Sequence, residues 1–217
     1  LVIVYSGNTL GELKPCGCAK EEDQGGFERR LTYLKEVFAN SKNILLVDTG
    51  DNFKEPSTQG KIKARYIMQA MSKSKYDAVI PGDKDLVYGE PFLTDDASIP
   101  WLLSNAELRK INPPKIRMKK LENGLTVAML ALIDPDLYYD AKHSGGSIKD
   151  PIESAKKLIK KLKISEHPDV IVALTHMKRE EAISMLKLSG VDVVINGHIE
   201  KDTDIIDTNH IERNGKV

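Results

Sequence analysis

Seven short apolar runs along the chain have the length and composition of β-strands. They are rich in Val, Ile and Leu, and most are continuous rather than alternating with polar residues. Strands that are apolar throughout are typical of sheets covered on both faces. The predicted strands are Leu1–Ser6, Asn43–Asp48, Ala78–Pro81, Trp101–Ser104, Thr126–Ile133, Val170–Thr175 and Val191–Asn196.

Between these runs, apolar residues recur every three or four positions, which is the spacing of one helix face. Strands that alternate with such segments indicate a layered α/β fold with helices outside the sheets. A β-hairpin is also predicted where Ile116–Lys120 and the run to Ile133 flank Asn123-Gly124. The helical repeats are Phe27, Leu31, Leu34 and Phe38; Ile62, Tyr66, Ile67, Ala70 and Met71; Ile152, Ala155, Leu158, Ile159 and Leu162; and Ala182, Ile183 and Leu186.

Composition and charge narrow the range of partners. Of 217 residues, 41% are hydrophobic, and 32 Lys and Arg balance 32 Asp and Glu, so no global field favours a nucleic-acid polymer or an anionic membrane. No apolar run approaches the ~20 residues of a membrane span, so none is expected. The absence of a linker predicts a single domain over residues 1–217. The last residues resemble a strand that enters a turn at Asn214-Gly215, so a domain truncated at its C-terminus is the alternative.

Polar residues gather directly after the predicted strands. In open α/β sheets, ligands bind beyond the carboxyl ends of the strands, and five of these ends carry Asp, His, Glu, Asn or Cys. Carboxylates and imidazoles from several strands can converge there on one metal ion. The segments are Gly7–Glu12 with Pro15–Cys18, Asp48–Asp51, Gly82–Asp85, Thr175-His176 and Asn196–Glu200.

Each of these segments, taken alone, has an ordinary structural interpretation. Asp-Thr-Gly-Asp is a frequent turn because Asp and Gly are turn formers, and a lone histidine is more often structural than a ligand. His143, His167 and His210 lie in polar, loop-like sequence and are interpreted as surface residues. The order favours a metal site, because strand-Asp-x-Gly-Asp, strand-Gly-Asp-x-Asp, strand-Thr-His and strand-Gly-His rarely follow one another by chance.

This order of motifs resembles that of the calcineurin-like metallophosphoesterases. The Gly25-Gly26 pair followed by Arg29-Arg30 resembles the 5′-nucleotidase branch, and the resemblance extends from Leu1 to about Glu200. It implies a four-layer α/β/β/α sandwich, with two mixed sheets flanked by helices. It also implies a site for two metal ions that are bridged by the Asp of a Gly-Asp motif.

One of the two family metal positions is replaced in this chain. Asn8 stands where the family has its first Asp, Leu10 where it has its first His, and Glu200 where it has its last His. A leucine side chain has no atom that binds a metal ion, and an asparagine offers only a neutral oxygen. The resemblance therefore implies a partly degenerate dinuclear site.

The other metal position keeps a complete ligand set. The resemblance implies Asp51 as the bridging ligand, Asp83 in place of the family Asn, and His176 and His198 as the imidazole ligands. Two carboxylates and two imidazoles suit Zn²⁺, Mn²⁺ or Fe²⁺. We expect one divalent metal ion as the cofactor; a second ion is doubtful because its ligands are replaced.

Lys84 stands where the family has a histidine that acts near the leaving group. The resemblance implies catalytic roles for Lys84 and Asp51, with Lys84 also holding the phosphoryl oxygens as a point charge. With an unperturbed pKa near ~10.4, Lys is a poorer general acid–base than His at neutral pH. Asn8, Arg29 and Arg30 are the other expected substrate-binding residues, and a solvated basic pair is the alternative for the two arginines.

The replaced metal position has a second set of candidate ligands. Glu12, Cys16 and Cys18 follow the first strand, and Glu200 follows the last, so these four form a candidate second site. Two alternatives stay open for the Cys-x-Cys pair. The cysteines are free or disulfide-linked without a metal, or they form a redox dithiol.

The expected function is a metal-dependent phosphoester hydrolase of the 5′-nucleotidase type, acting on nucleotides or other small phosphomonoesters with weakened or altered activity. The alternative is a non-catalytic or repurposed metal-binding domain, thiol- or redox-linked or part of a larger assembly with a protein partner. The replaced residues favour the alternative, and the complete ligand set favours retained metal binding. Family members are often exported, so a periplasmic or extracytoplasmic location is expected, with the cytoplasm as the alternative.

Overall fold

The computed structural model describes residues 1–15, 25–54, 56–95, 98–138 and 146–199, in which strands and helices alternate. Two short 3₁₀ turns cover Asp83–Leu86 and Glu90–Thr94. The helices are α1 (Phe27–Asn40), α2 (Thr58–Lys73), α3 (Pro151–Ser165) and α4 (Arg179–Leu186). The strands are β1 (Val2–Ser6), β2 (Ile44–Asp48), β3 (Ala78–Val79), β4 (Ala106–Glu107), β5 (Arg117–Lys120), β6 (Thr126–Ile133), β7 (Ser147–Ile148), β8 (Val170–His176) and β9 (Val193–Asn196).

The first sheet consists of three parallel strands in the order β1-β2-β3. The central strand β2 is buried along its whole length and pairs with β1 up to Ser6 beside Asp48. Asp48 also lies beside Val79 of β3. The three strands therefore end at the same edge, which brings the loops that follow them together.

The second sheet has the order β5-β6-β8-β9, and it ends near the same place. β6, β8 and β9 are parallel, with Ile133 beside His176 and Thr175 beside Asn196. β5 pairs antiparallel with β6, so the predicted hairpin is confirmed. A separate two-stranded antiparallel sheet joins β4 and β7.

The burial of β6 shows how the layers are stacked. Its odd-numbered residues from 127 to 133 belong to the core cluster that also contains β2, β3, α1 and α2. Its even-numbered residues from 128 to 132 belong to a second cluster with α3 and α4. Because alternate strand residues point to opposite faces, β6 lies between the first sheet and the helices α3 and α4. This layering agrees with the expected four-layer sandwich.

The predicted strand Trp101–Ser104 is wrong as a strand. Trp101 forms a single parallel bridge with Val79, and the next residues change partners at every step. The backbone N–H groups of Leu102, Leu103 and Ser104 donate to the carbonyl groups of Val79, Pro114 and Ala131, respectively. The segment is buried, but its hydrogen bonds go to three different neighbours in turn, so it does not pair as a strand with any one of them.

All four predicted helices are present, although their buried faces are narrower than the apolar repeats. In α2 the buried residues are Ala64, Ile67, Met68 and Met71, while Ile62 is 52% exposed and Tyr66 is 58% exposed. An apolar residue at helical spacing is therefore not enough to place it in the core. Among the residues that the structure describes, no helix has both the length and the apolarity needed to cross a membrane.

Candidate metal centre

Four side chains from both sheets meet where the strands end. Asp51 follows β2, Asp83 follows β3, His176 is the last residue of β8, and His198 follows β9. One oxygen or nitrogen atom from each lies within 4.8 Å of the others, an arrangement that could hold a metal ion. The structure thus brings together the four residues that the sequence singled out as metal ligands.

The cluster has a buried wall and a more open side. Asp51 and His176 are 0% exposed, whereas Asp83 and His198 are partly exposed. An ion or a small ligand held by the four residues would therefore be reached past Asp83 and His198. A buried carboxylate and a buried imidazole on the inner wall are held in fixed positions by the packed core around them.

The ring of His176 is oriented by a backbone carbonyl group. Its Nδ1 atom lies 2.9 Å from the carbonyl oxygen of Thr49, and its Nε2 atom lies 2.8 Å from Oδ1 of Asp83. Donation from Nδ1–H to the carbonyl selects the tautomer in which Nε2 is the metal-binding atom, as in many protein metal sites. The local geometry therefore supports a ligand role for His176.

Hydrogen bonds and charges at the cluster shift the pKa values of its members. Burial alone would raise the pKa of Asp83, but the close contacts of its carboxylate with His176 and His198 outweigh it and lower that pKa. Burial alone would lower the pKa of His176, but the hydrogen bond with Asp83 and the charge of Asp51 raise it instead. The Asp83 carboxyl group thus keeps the negative charge that a cation requires.

Among the residues that the structure describes, two buried polar atoms at the centre have no hydrogen-bond partner, namely Nδ1 of His198 and Oδ1 of Asn8. Buried polar atoms are normally paired, so each unpaired one calls for an explanation. Nδ1 of His198 lies 3.6 Å from Oδ1 of Asp83, and a metal ion bound by the cluster would satisfy it. Oxygen and nitrogen donors of this kind suit a borderline divalent ion. The residues present therefore fit such an ion.

Lys84 contacts the carboxylates from the side away from His176. Its Nζ atom lies 2.8 Å from Oδ2 of Asp51 and 3.6 Å from Oδ2 of Asp83. Burial alone would lower the pKa of Lys84, but the hydrogen bond and the charge of Asp51 raise it, so the side chain is a cation at neutral pH. Its expected contact with phosphoryl oxygens stays a prediction.

Asp85 was not recognised from the sequence as a supporting residue of the centre. It is 0% exposed, and it accepts hydrogen bonds from the backbone N–H groups of Asp51, Asn52, Phe53 and Gly82 at 2.8–3.0 Å. Burial and then the charge of Asp51 raise its pKa to about 7, while the N–H donors act in the opposite direction. The available signal was a carboxylate three residues after Gly82, a spacing at which Asp caps nearby N–H groups.

The backbones around Asp51 and Gly82 approach each other closely. A β-carbon at Gly82 would collide with the N and Oδ1 atoms of Asp51, and one at Gly50 would collide with the backbone of Gly82. Asp51 itself has a φ of 58°, in the left-handed region that non-glycine residues rarely adopt. Asp85 holds this strained turn in place through its bonds to Asp51 and Asn52, which fixes the direction of the Asp51 carboxylate.

Behind the cluster, Asp48 anchors the same turn. Its side chain accepts hydrogen bonds from Ser6 Oγ at 2.6 Å, Asn52 Nδ2 at 2.7 Å and Gly50 N at 3.0 Å. The hydroxyl group of Ser6 also lies 2.8 Å from that of Tyr76. Asp48 is fully buried, so these bonds provide the pairing that a buried carboxylate requires.

Arg30 takes part in this supporting network. Its guanidinium group donates to Thr9 Oγ1 at 3.0 Å and to the hydroxyl group of Tyr76 at 3.3 Å, and it lies 4.4 Å from the centre of the Phe27 ring. These contacts connect α1 to the loop after β1 and to the loop before β3. A role for Arg30 in substrate binding stays a prediction, as does one for Arg29, which lies on an exposed part of α1.

The residues expected at the second metal position are only partly described. Asn8 donates through Nδ2 to the carbonyl oxygen of Gly197, which places it beside the backbone that carries His198. Glu12 lies 3.8 Å from Nζ of Lys54 and 3.7 Å from Nζ of Lys63. Cys16, Cys18 and Glu200 lie outside the described residues, so a rebuilt second site stays a prediction.

Comparison with known proteins finds relatives of this chain in sequence and in structure. No protein-family model matches the chain. The chain is 26% identical over 200 residues to a snake venom 5′-nucleotidase from Naja atra, an alignment that covers 83% of this chain and 36% of that protein. The chain thus spans about a third of the length of the curated relatives that it matches.

Solved structures show the same fold. The 5′-nucleotidase precursor from Thermus thermophilus matches with a TM-score of 0.78 at 23% identity, over 90% of this chain and 41% of that one. The calcineurin-like phosphoesterase YfkN from Bacillus subtilis matches with a TM-score of 0.71 at 23% identity, over 90% of this chain and 71% of that one. The expected fold and the resemblance to calcineurin-like metallophosphoesterases of the 5′-nucleotidase branch are confirmed.

Proposed function

We propose that this relative of the 5′-nucleotidases is a metal-dependent phosphoester hydrolase domain that acts on nucleotides or other small phosphomonoesters. The proposal rests on one observation, the convergence of Asp51, Asp83, His176 and His198 at the shared edge of two sheets. The substrate class follows from the relatives, which are named 5′-nucleotidases. An extracytoplasmic location belongs to the same proposal, since one relative is a venom protein and another is named a precursor.

The four side chains are suited to hold one Zn²⁺, Mn²⁺ or Fe²⁺ ion. The two carboxylates would balance its charge, and the two imidazoles would supply nitrogen ligands. Such an ion, when bound, supplies Lewis acidity and lowers the pKa of a bound water molecule. Asp85 and Thr49 contribute indirectly, because they fix the Asp51 turn and the His176 ring.

Lys84 is the residue best placed to bind a phosphate group. Its side chain is 37% exposed, and its Nζ atom lies beside Asp51 and Asp83, at the open side of the cluster. A protonated Lys binds phosphate as a point charge, and its raised pKa makes it a poor general base. Lys84 would therefore orient the phosphoryl group and balance its charge rather than move protons.

A second candidate function is metal binding without hydrolysis, in a domain that serves a protein partner. One observation favours it: the Lys84 ammonium group already pairs with Asp51, the residue expected to bridge two ions in the hydrolase mechanism. Leu10, at the position of a family histidine, offers no ligand. In that case the centre would stabilise the fold or a partner surface and would not turn over phosphoesters.

The deciding experiment measures metal content and phosphatase activity on the same purified protein. The protein is stripped with a chelator, reloaded with Mn²⁺ or Zn²⁺, and assayed with p-nitrophenyl phosphate and 5′-AMP. We expect metal-dependent turnover that falls at least ~100-fold in His176→Asn, because a buried ligand is lost.

His167→Asn is the matched control for this experiment. His167 is exposed, and its φ of 48° is one that Asn tolerates, so this variant should keep the activity of the parent. Bound metal without turnover on either substrate would select the second candidate function. A chain that binds neither ion would rule out both candidates.

A further inference from the structure

We infer that the ammonium group of Lys84 serves as the second cation of this centre, so that the centre takes one metal ion per chain. The inference deepens the proposed function, since it concerns the same ligand cluster. It predicts a metal count and a change in metal affinity, both of which can be measured without turnover.

The two carboxylates divide their oxygen atoms between two cation positions. The Oδ1 atoms face the imidazoles: Oδ1 of Asp51 lies 3.4 Å from Nε2 of His176, and Oδ1 of Asp83 lies 2.8 Å from the same atom. The Oδ2 atoms of both residues face Lys84, at 2.8 Å and 3.6 Å from its Nζ atom. One side of the carboxylate pair thus offers a metal position, and the other side already holds a cation.

Lys84 is held in this position by its own backbone. It belongs to the 3₁₀ turn that begins at Asp83, and its N–H group donates to Oδ1 of Asp51 at 3.1 Å. Main chain and side chain of one residue therefore bind the two oxygens of a single carboxylate. Because the Asp51 side chain is only 1% exposed, the ammonium group supplies the partner that a buried charge requires.

The charges of the centre favour one metal ion over two. Asp51 and Asp83 carry two negative charges, and Lys84 carries one positive charge. One divalent ion leaves the group with a single positive charge, whereas two would leave three within a few ångströms. Like charges at such distances repel strongly in a partly buried site. A second ion would therefore have to displace Lys84 or bind against its charge.

The sequence changes at the other metal position agree with this arrangement. Leu10 brings no ligand atom to the side of the centre where a family member has a histidine. Its backbone N–H group donates to the carbonyl oxygen of Asp51, so the loop that carries it stays next to the centre. The loop therefore lies next to the centre, but residue 10 supplies no metal ligand. The positive charge of a second metal ion would be replaced by that of Lys84.

The test is metal titration of the chelator-stripped protein by calorimetry, with elemental analysis to count bound ions. Mn²⁺ and Zn²⁺ are used alone, without substrate. The parent protein should bind one ion per chain. Lys84→Met keeps the length of the side chain and removes its charge, so the ion should bind at least ~10-fold more tightly. Lys84→Arg retains the charge and should stay within a few-fold of the parent.

Lys149→Met is the matched control, because Lys149 pairs with Glu107 at 3.1 Å on an exposed surface. This variant should bind one ion with parental affinity.

Two ions per chain in the parent protein would overturn the inference, as would unchanged or weaker binding in Lys84→Met. Two ions with turnover would overturn only this inference, while one ion without turnover would overturn only the hydrolase proposal. The number of ions bound by the parent protein tests the inference even if Lys84→Met does not fold.

Discussion

Nε2 of His176 lies 2.8 Å from Oδ1 of Asp83, and this contact joins the two sheets. His176 ends β8 in the second sheet, whereas Asp83 follows β3 in the first. The two atoms meet only when the sheets are packed together, so the centre forms with the tertiary structure. An ion that binds these residues should therefore stabilise the whole fold and not a local loop alone.

The first prediction is that added metal raises the melting temperature of the stripped protein. A ligand that binds only the folded state stabilises it by about 2.7 kcal/mol at a hundredfold excess over its Kd. The measurement is a thermal unfolding scan at increasing Mn²⁺ or Zn²⁺ concentration. His198→Asn should reduce the shift because one of the four candidate ligands is replaced, and the exposed variant His167→Asn should retain it. An equal shift in both variants would place the bound ion elsewhere.

The second prediction compares two glycines with the same backbone conformation. Gly50 and Gly124 have φ values of 89° and 91°, so alanine is strained to a similar degree at both. At Gly124 no atom of the described residues lies within 4 Å of an added β-carbon, whereas at Gly50 that atom would collide with the backbone of Gly82. Gly124→Ala should cost about 1 kcal/mol of unfolding free energy, and Gly50→Ala should cost clearly more.

Urea unfolding of both alanine variants measures this difference. Gly50→Ala should also weaken metal binding, because Gly50 precedes Asp51 and the collision moves the turn that directs its carboxylate. The Gly124 variant should bind metal as the parent does, since it lies in the hairpin turn between β5 and β6. If Gly50→Ala and Gly124→Ala lowered the free energy of unfolding equally, the backbone around Gly82 would have to move aside at no cost.

The cluster of candidate metal ligands could be predicted from the sequence because each residue ends or follows a strand, in an order that resembles a known type of metal site. Parallel strands place their carboxyl ends at one edge of a sheet, which brings Asp51 near Asp83 and His176 near His198. The two pairs meet because the two sheets pack together. The layered fold was predictable for a related reason, since apolar strands alternating with helices have few ways to bury their faces.

Other features depend on packing that a linear pattern does not record. The contact of Lys84 with Asp51 requires two loops from neighbouring strands to approach closely. The apolar run at 101–104 looks like a strand, but only the folded structure shows that its hydrogen-bond partners change at each residue. Ile62 was part of a helical repeat and yet lies exposed, because the core covers only one side of α2.

The third prediction concerns Asp85, which binds four backbone N–H groups around the centre. In Asp85→Asn one carboxylate oxygen becomes an NH₂ group, which donates hydrogen bonds and would face N–H groups that need an acceptor. The free energy of unfolding should fall by about 2–4 kcal/mol, as expected when several buried donors lose their partner. Denaturant unfolding measures the change, and metal titration should show weaker binding.

Asp95→Asn is the control for this prediction. Asp95 is also close to the end of a 3₁₀ turn, but its side chain is 48% exposed, and its ion pair with Arg65 is 3.9 Å long. An exposed ion pair of this length contributes little to stability, so Asp95→Asn should change the free energy of unfolding by no more than about 0.5 kcal/mol. A similar loss in both variants would show that the four N–H contacts of Asp85 do not hold the turn.

The fourth prediction concerns two acidic side chains that meet outside the metal centre. Asp134, which follows β6, is 1% exposed. Within the described part of the chain, neither its Oδ2 atom nor Oε2 of Glu181 in α4 has a hydrogen-bond partner. Burial, and then the nearby carboxyl group of Asp134, raise the pKa of Glu181. Asp136 acts in the same direction, and Lys178 opposes it. A proton shared by Asp134 and Glu181 would satisfy both unpaired oxygens.

The sign of the resulting pH dependence follows from linkage. A carboxyl group with a raised pKa in the folded state holds its proton more tightly there than in the unfolded chain. The stabilisation from this proton is complete below the unfolded pKa of about 4.5 and is lost as the pH rises through the folded value. Glu181→Gln provides an N–H donor to Asp134 at every pH. It should therefore raise the unfolding free energy by about 0.5–1.5 kcal/mol at neutral pH and by less near pH 5.

Glu180→Gln separates this contact from the loss of one negative charge. Glu180 precedes Glu181 in the first turn of α4, is exposed, and has the same favourable interaction with the helix N-terminus. Its replacement should slightly lower stability, with little dependence on pH between 5 and 7.5. Urea unfolding of both variants at the two pH values provides the comparison. If Glu181→Gln lowers stability at neutral pH as much as Glu180→Gln does, then the carboxyl groups of Asp134 and Glu181 do not share a proton in solution.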